Sequence, residues 1–266
     1  MHNKSGPIAL ITGGSRGIGL TLARFFLERG YRIAITGRSQ ENLRKALGDL
    51  GDEGVIGLLG DASVPADIQN NLDTVMAQWG PIDLLVNNAG VLGPMTPFLD
   101  TEIEAMWKVQ QVNLLGPMLF MKAVLPTMLE RKNGVIINMG SYAAVRAIPG
   151  NPAYSASKAG LAKLTESVGF DLEGTGVRIF CVSPGLVETD MTRDTDLFKT
   201  IPKEFVSPPE AVCNLIERLV QDAPESLNGR FFHVTDELEA ILDQNESIAK
   251  GNRYRLTLEN LKGPLS

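Results

Sequence analysis

Short apolar runs alternate with helix-length segments along most of the chain, and this alternation is the strongest constraint on the fold. The apolar runs span residues 8–12, 32–36, 55–59, 83–87, 135–139, 177–183 and 230–234. They are mostly continuous Ile, Val and Leu runs, which are typical of strands covered on both faces of a parallel sheet. The predicted helices between them span residues 17–29, 40–50, 65–79, 101–131, 152–174 and 208–221. The pattern predicts an α/β fold of Rossmann type: a doubly wound, mostly parallel seven-stranded sheet with helices on both faces.

The chain has no internal repeat, low-complexity tract or linker, and its 266 residues suit one domain. We therefore expect a single domain over residues 1–235, followed by a polar C-terminal extension over 236–266. The connection at 186–206 is long and mixed in composition, and it lies before the last predicted crossover helix. We expect this segment to act as a lid over the substrate.

Charge and composition exclude several classes of function. There are 31 acidic and 25 basic residues, which gives a net charge of −6, and no basic block is present. A chain of this charge predicts neither a nucleic-acid partner nor binding to an anionic membrane surface. The first six residues do not resemble a signal peptide, and no apolar run is near the roughly 18 residues of a membrane span. We expect a cytoplasmic protein.

The few cysteines and histidines argue against metal chemistry. Cys181 and Cys213 lie in apolar and helical patterns that predict buried, reduced thiols. The histidines are His2 and His233, and two such distant residues make a zinc cluster or a Ser–His pair hard to assemble. We therefore predict no metal site.

A glycine-rich loop follows the first predicted strand and has the spacing G-x-x-x-G-x-G. Its glycines, Gly13, Gly17 and Gly19, allow a tight turn and let backbone N–H groups approach a phosphate at a helix N-terminus. A tight strand–helix joint without a ligand is the simpler alternative. The position after the first strand favours a dinucleotide site, in which Ser15 of the same loop also takes part.

Two arginines predict which dinucleotide binds. An Asp or Glu at the end of the second strand holds the ribose 2′-hydroxyl of NAD. This chain has Arg38 there and no acid, and Arg16 of the glycine loop can converge on the same point. A guanidinium matches a doubly charged 2′-phosphate, so we predict NADP(H) over NAD(H). The alternative is that both arginines are solvated surface residues.

Tyr154 and Lys158 stand four residues apart, so both project from one face of a predicted helix. Reduction of a carbonyl leaves an alkoxide that needs a proton, and a phenol can supply it. A free tyrosine has a pKa of about 10, and a lysine charge about 4 Å away lowers it by roughly 3 units. We therefore expect Lys158 to bring the pKa of Tyr154 towards 7. Ser141, which follows a predicted strand, can polarise the carbonyl.

Together these motifs resemble the compact branch of the short-chain dehydrogenase/reductase family over almost the whole chain. The landmarks that carry the resemblance are Thr12, Gly13, Gly17, Gly19, Asp61, Asn87, Asn88, Ala89, Gly90, Asn113, Ser141, Tyr154, Lys158, Pro184, Gly185 and Thr189. Each motif alone is only modestly specific, and the family assignment depends on all of them occurring in order.

The resemblance implies roles for these residues. Tyr154 is the general acid/base, Ser141 positions the substrate oxygen, and Lys158 lowers the tyrosine pKa and holds the nicotinamide ribose. Asn113 anchors a water in a proton relay, although a hydrogen-bonded asparagine inside a helix is the structural alternative. The remaining implied cofactor contacts are Ile18, Asp61, Ala62, Asn87, Ala89, Gly90, Pro184, Gly185 and Thr189.

The C-terminal end departs from the family pattern. Family members often end the last strand near an Asp-Gly-Gly segment, whereas residues 231–237 here read FFHVTDE. This end commonly packs on a neighbouring subunit, so the resemblance implies a homo-oligomer, dimer or tetramer, with the tetramer in question.

The substrate is expected at the carboxyl ends of the strands. The segments that reach this edge contribute mostly apolar residues, which are Leu92, Met95, Tyr142, Val145, Ile148, Leu186, Met191 and Phe198. Arg146 and Arg193 could contact an anionic group, but we interpret Arg146 as facing solvent. The composition predicts a moderately sized, largely apolar carbonyl compound or secondary alcohol.

These observations favour an NADP(H)-dependent oxidoreductase that resembles ketoreductases. One alternative is a catalytically weak nucleotide-binding scaffold or regulatory subunit, but such a protein has no need of Ser141, Tyr154, Lys158 and Asn113 together. A sugar-nucleotide epimerase or dehydratase is disfavoured by the chain length and the glycine spacing.

Overall fold

The computed structural model describes residues 6–146, 148–189 and 206–256. Within them, seven strands form one sheet. They are β1 (Ile8–Ile11), β2 (Arg32–Gly37), β3 (Val55–Leu59), β4 (Leu84–Asn87), β5 (Gly134–Met139), β6 (Val177–Ser183) and β7 (Phe231–His233). Their order is β3-β2-β1-β4-β5-β6-β7, and every pair is parallel. The predicted fold class is confirmed.

In the described part of the chain, seven helices lie in the connections between the strands, and two short ones follow the last strand. They are α1 (Gly17–Glu28), α2 (Gln40–Leu50), α3 (Pro65–Trp79), α4 (Ile103–Gln110), α5 (Gly116–Arg131), α6 (Pro152–Asp171), α7 (Pro209–Asp222), α8 (Leu238–Asp243) and α9 (Asn245–Ala249). The single helix predicted over 101–131 is interrupted by a π-helical turn, Gln111–Leu115, between α4 and α5.

Two apolar cores lie on opposite faces of the sheet, because successive strand residues point to opposite sides. In β1, Ala9 and Ile11 pack with α1, α2 and α7, whereas Ile8 and Leu10 pack with α3, α5 and α6. Burial on both faces explains why the strands are continuous apolar runs. Cys181 and Cys213 are buried free thiols, as predicted.

The long helical region Ile103–Arg131 is more apolar than the sequence analysis recognised. An 18-residue window within it has a mean hydropathy of 1.4, so by length and composition it could cross a membrane. The expectation that no segment would pass this test was therefore wrong. The helix contacts α3, α6, β4 and β5, and 44% of the window is buried. This packing accounts for the apolar composition.

The described part of the C-terminal extension packs back on the domain. Ile241 of α8 and Ile248 of α9 join the core that contains α1 and α7. The backbone N–H of Phe231 in β7 donates a hydrogen bond to the carbonyl of Tyr254 at 2.8 Å. The extension therefore contacts the outer edge of the sheet.

Candidate active site

A cavity of about 270 Å³ opens at the carboxyl ends of the parallel strands. The predicted residues that line it are Gly13, Ser15, Arg16, Gly17, Ile18, Arg38, Asp61, Ala62, Ala89, Gly90, Tyr154, Lys158, Pro184 and Thr189. Residues that line it but were not predicted are Thr36, Gly37, Ser39, Asn42, Gly60, Asn88, Val91, Val112, Met139 and Gly140. The remaining predicted residues are Gly19, Asn87, Asn113, Ser141 and Gly185, and they do not line the cavity.

The glycine loop has the shape that a bound phosphate requires. Gly13 and Gly17 have φ angles of +64° and +55°, a region that side chains disfavour. A Cβ at Gly13 would lie 2.9 Å from the Cα of Ala89, and one at Gly19 would lie 2.5 Å from the carbonyl oxygen of Gly13. Gly13 therefore allows the loop to pack against Ala89, Gly17 provides the positive φ at the start of α1, and Gly19 allows the helix to approach the turn.

Two adjacent asparagines after β4 have different roles. Asn87 is buried, and its amide donates to the side chain of Asn138 at 2.8 Å, which in turn donates to Thr165 of α6 at 2.9 Å. These bonds connect β4, β5 and α6 below the cavity. Asn88 instead lines the cavity and donates to the carbonyl of Thr12 at 2.9 Å, which fixes the start of the glycine loop. The repeated asparagine was visible in the sequence, but nothing there distinguished these two orientations.

Charged side chains meet at the end of the cavity near β2 and β3. Arg38 Nη1 lies 3.8 Å from Oδ2 of Asp61, and Lys108 Nζ of α4 lies 3.6 Å from the same oxygen. Ser63 donates hydrogen bonds to Oδ1 of Asp61 from its backbone N–H at 2.8 Å and its hydroxyl at 2.6 Å. Burial raises the pKa of Asp61, but these hydrogen bonds and the two cations outweigh it and lower the pKa below its usual value. The carboxylate is therefore ionised at neutral pH.

Tyr154 and Lys158 project from one face of α6, as predicted. The helix is capped by Asn151, whose side-chain oxygen accepts a hydrogen bond from the N–H of Tyr154 at 3.2 Å. Lys158 Nζ lies 5.6 Å from the centre of the Tyr154 ring and donates to the carbonyl of Met139 at 2.7 Å. The hydroxyl of Ser141, which precedes the short turn Tyr142–Ala144, lies close enough to the phenol of Tyr154 to affect its pKa. The phenol and the ammonium thus line one wall of the cavity, and the hydroxyl lies beside the phenol.

The pKa of Tyr154 differs from the expectation that Lys158 lowers it. Burial of the phenol raises its pKa above the usual value and outweighs the opposing effect of the Ser141 hydroxyl. The ammonium of Lys158, 5.6 Å from the ring centre, does not offset this effect of burial. Burial in turn lowers the pKa of Lys158 to about 8. The predicted direction of the tyrosine shift is therefore wrong for this arrangement.

Asn113 lies in the π-helical turn and is fully buried. Its amide nitrogen donates to the carbonyl of Val91 at 2.9 Å and to the hydroxyl of Ser157 at 3.0 Å, and its oxygen accepts from the N–H of Val91 at 2.8 Å. Both amide hydrogens thus have protein partners, as the structural alternative predicted. The side chain therefore connects the loop after β4 to α6, where its partner Ser157 immediately precedes Lys158.

The predicted substrate side is only partly described. Tyr142, Val145 and Met95 are exposed near the cavity, and Arg146 is also exposed, which agrees with its interpretation as a solvent-facing residue. Leu186 pairs with Val206, so the two ends of the predicted lid meet. Met191, Arg193 and Phe198 lie outside the described residues. Among the residues that are described, no group of three or more His, Cys, Asp or Glu side chains could hold a metal ion.

Comparison with known proteins finds relatives that are named as dehydrogenases. The short chain dehydrogenase family model matches residues 7–199. A short chain dehydrogenase of Pseudocercospora fijiensis is 32% identical, with 96% of this chain and 89% of the relative covered. The 2-(R)-hydroxypropyl-CoM dehydrogenase of Xanthobacter autotrophicus is 39% identical, with coverages of 84% and 94%.

The structural comparison agrees. The crystal structure of a single-substitution variant of actinorhodin polyketide ketoreductase with NADPH is similar to this chain with a TM-score of 0.80 and 28% identity. The similarity covers 88% of this chain and 97% of the ketoreductase. The chain therefore belongs to the short chain dehydrogenase family and is an oxidoreductase that acts on CH–OH and C=O groups.

Proposed function

We propose that the chain is an NADP(H)-dependent oxidoreductase that acts on a carbonyl or secondary alcohol of a moderately sized, largely apolar substrate. The observation that carries this proposal is that Tyr154 and Lys158 line the same cavity as the glycine loop, with the hydroxyl of Ser141 close to the phenol. A binding scaffold needs the cavity but has no use for an acid, a hydroxyl donor and a buried ammonium beside it.

In this proposal a nicotinamide dinucleotide binds in the cavity, with its parts distributed among the lining residues. The N-terminus of α1, with Gly13, Ser15 and Gly17, would hold the pyrophosphate. The other contacts in this proposal are Arg16 and Arg38 for the 2′-phosphate, Asp61 and Ala62 for the adenine, Lys158 for the nicotinamide ribose and Thr189 for the carboxamide. Ile18, Ala89, Gly90 and Pro184 complete the proposed contacts, whereas Asn87, Gly185 and Gly19 do not line the cavity and would act by shaping the backbone around it. When bound, this cofactor supplies or accepts a hydride.

Tyr154 donates or accepts the proton in the proposed reaction. Because its pKa is raised, the phenol is protonated at neutral pH and can donate a proton to a carbonyl oxygen as that oxygen gains negative charge. The hydroxyl of Ser141 orients the same oxygen. In the oxidation direction, Tyr154 must first lose its own proton, and the phenolate then takes the proton from the alcohol. Lys158 stays cationic below its pKa of about 8 and stabilises negative charge at the site.

Two relatives support the reaction class and the cofactor. The related ketoreductase was solved with NADPH, and the Xanthobacter relative is named as a dehydrogenase of a hydroxypropyl compound. Arg38 at the end of β2, where no acid stands, supports the choice of the phosphorylated cofactor. The exposed apolar residues near the cavity support a largely apolar substrate.

The test is a panel of ketones and secondary alcohols, followed by NADPH and NADH absorbance. We expect turnover with NADPH, and we expect Tyr154→Phe to lower kcat by roughly 10²-fold to 10⁴-fold. Tyr31→Phe is the matched control, since Tyr31 packs against Phe26 on the far side of α1. Turnover that survives in Tyr154→Phe contradicts the mechanism. Tight NADP binding without turnover on any substrate favours the scaffold alternative.

We further propose that the chain forms a homo-oligomer, a dimer or a tetramer, in the cytoplasm, with no nucleic-acid or membrane partner. The large apolar side chains of Phe98, Leu99, Ile103 and Trp107 are all more than half exposed, which supports a contact with another subunit. Light scattering coupled to gel filtration measures the mass in solution, and a monomer at micromolar concentration contradicts the proposal.

A further inference from the structure

The carboxylate of Asp61 is positioned more firmly than a contact with adenine alone requires. The backbone N–H of Asp61 donates a hydrogen bond to Oδ2 of Asp67 at 2.8 Å, and Oδ1 of Asp61 accepts the two hydrogen bonds from Ser63. Its side chain is 23% exposed and lines the same end of the cavity as Arg38. A fixed negative charge therefore stands where a second negative group, the 2′-phosphate, is proposed to bind.

Such a charge acts against the proposed cofactor in two ways. It repels a phosphate directly, and it attracts the guanidinium of Arg38, which the phosphate needs as its partner. Arg38 lies 3.8 Å from Oδ2 of Asp61, which is an ion pair without a hydrogen bond. Arg38 is therefore free to turn towards a phosphate only if another cation compensates Asp61.

Lys108 is the second cation in contact with this carboxylate. Its Nζ lies 3.6 Å from the same Oδ2 and donates a hydrogen bond to the hydroxyl of Ser63 at 3.0 Å. It reaches Asp61 from α4, whereas Arg38 reaches it from the end of β2, and it does not line the cavity. Its hydrogen bond to Ser63 holds the ammonium beside Asp61 whichever way Arg38 points.

We propose that Lys108 is a specificity-determining positioning residue, which compensates Asp61 so that Arg38 can bind the 2′-phosphate of NADP(H). The inference rests on the proposed NADP(H) preference and adds a residue outside the cavity to it. Lys108 acts through Asp61 and makes no contact with the cofactor.

The test measures binding of two nucleotides that lack the nicotinamide, adenosine 2′,5′-bisphosphate and adenosine 5′-monophosphate, by isothermal titration calorimetry. We expect Lys108→Met to weaken the bisphosphate by roughly threefold to tenfold and to change the monophosphate by less than about twofold. Lys122→Met is the matched control, because Lys122 is exposed on α5 about four turns further along the same helical region. This control removes the same charge and is expected to change neither Kd.

The same substitution made in an Asp61→Asn variant distinguishes an effect through Asp61 from a direct effect of Lys108 on the phosphate. In Asp61→Asn there is no carboxylate to compensate, so Lys108→Met is expected to have no further effect on the bisphosphate. An equal loss in both backgrounds means that Lys108 attracts the phosphate itself, and this result overturns the inference. An equal weakening of both nucleotides, or no change in either, also overturns it.

The wild-type chain distinguishes this inference from the proposed function. If the wild type binds the two nucleotides equally, the NADP(H) preference fails and the inference fails with it. If the wild type prefers the bisphosphate and Lys108→Met keeps that preference, only the inference fails.

Discussion

At the scale of single residues, the site combines two ionisable groups that burial affects in opposite ways. Burial disfavours the charged form of each group, so it raises the pKa of Tyr154 and lowers that of Lys158 to about 8. Near neutral pH the phenol is protonated and the lysine is cationic. This is the pair of states that a carbonyl reduction requires at its start.

These shifts predict the pH dependence of the reaction. Lys158 is charged below about pH 8 and becomes neutral above it, so kcat/KM for ketone reduction should fall as pH rises through about 8. The phenol stays protonated over this range because its pKa is raised. The measurement is the pH profile of kcat/KM with NADPH from about pH 6 to about pH 10, which spans the titration of Lys158. A profile that stays flat to the alkaline end contradicts the assignment of the descending limb to Lys158.

A methyl group added at Gly13 should lower both the stability of the fold and the affinity for NADP. In Gly13→Ala the new Cβ lies 2.9 Å from Ala89 at a φ of +64°, so we expect a loss of about 1–3 kcal/mol in the free energy of unfolding and much weaker NADP binding. Urea unfolding and nucleotide titration measure the two effects.

Gly48→Ala is the matched control for this prediction. Gly48 lies within α2, where an added Cβ meets nothing within 4 Å, so the variant should be up to about 1 kcal/mol more stable than the wild type. Equal stability of the two alanine variants would mean that the loop accommodates the methyl group.

At the scale of the elements, the strands were predictable and the interruption of the long helix was not. Continuous apolar runs follow directly from burial on both faces, so each predicted strand agrees with the structure to within about two residues. The π-helical turn at Gln111–Leu115 has no local sequence signature of this kind. It becomes explicable only when Asn113 is seen to bond with Val91 and Ser157, which lie on other elements.

The same distinction holds for the site. Tyr154, Lys158 and the glycine loop have fixed spacings along one helix or one turn, so the sequence could predict them. Lys108 lies 47 positions after Asp61 in the sequence but contacts its carboxylate. Lys158 of α6 donates a hydrogen bond to the carbonyl of Met139 in β5. The raised pKa of Tyr154 depends on the burial of its phenol by the surrounding elements. Contacts of this kind depend on the tertiary packing and leave no pattern in the sequence.

The N-cap of α6 predicts a link between local stability and activity. Asn151→Ala removes the acceptor for the N–H of Tyr154 and the donor to the carbonyl of Leu92, which lies 3.1 Å away. We expect a loss of about 1–3 kcal/mol in the free energy of unfolding and a lower kcat, because Tyr154 lies in the first turn of the helix. Chemical unfolding and steady-state kinetics measure these effects.

Asn151→Ser tests which bond matters. Serine keeps an oxygen that can cap the helix but is too short to reproduce the bond to Leu92. If the cap positions Tyr154, this variant should recover most of the kcat that alanine loses. A serine variant that is as slow as the alanine variant would assign the effect to the loop that contains Leu92.

At the scale of the whole molecule, one buried arginine connects the C-terminal extension to the sheet. Arg230 is 0% exposed, and its guanidinium donates to four backbone carbonyls. These acceptors are Ile248, Ala249, Gly251 and Arg253. Together with the bond between Phe231 and Tyr254, they place residues 248–254 along the outer edge of β7. An edge covered in this way is less available for pairing with a second subunit.

This arrangement predicts that the extension is part of the stable fold. Arg230→Met fills a similar volume but leaves the four carbonyls without their donor, so we expect a loss of about 2–4 kcal/mol in the free energy of unfolding. Arg253→Met is the control: it removes the same charge from an exposed side chain of the extension and should cost less than about 0.5 kcal/mol. Guanidinium unfolding gives both values, and limited proteolysis shows whether the extension detaches. Equal stability of the two variants, with the extension still protected, would show that the apolar contacts of Ile241 and Ile248 suffice to hold it.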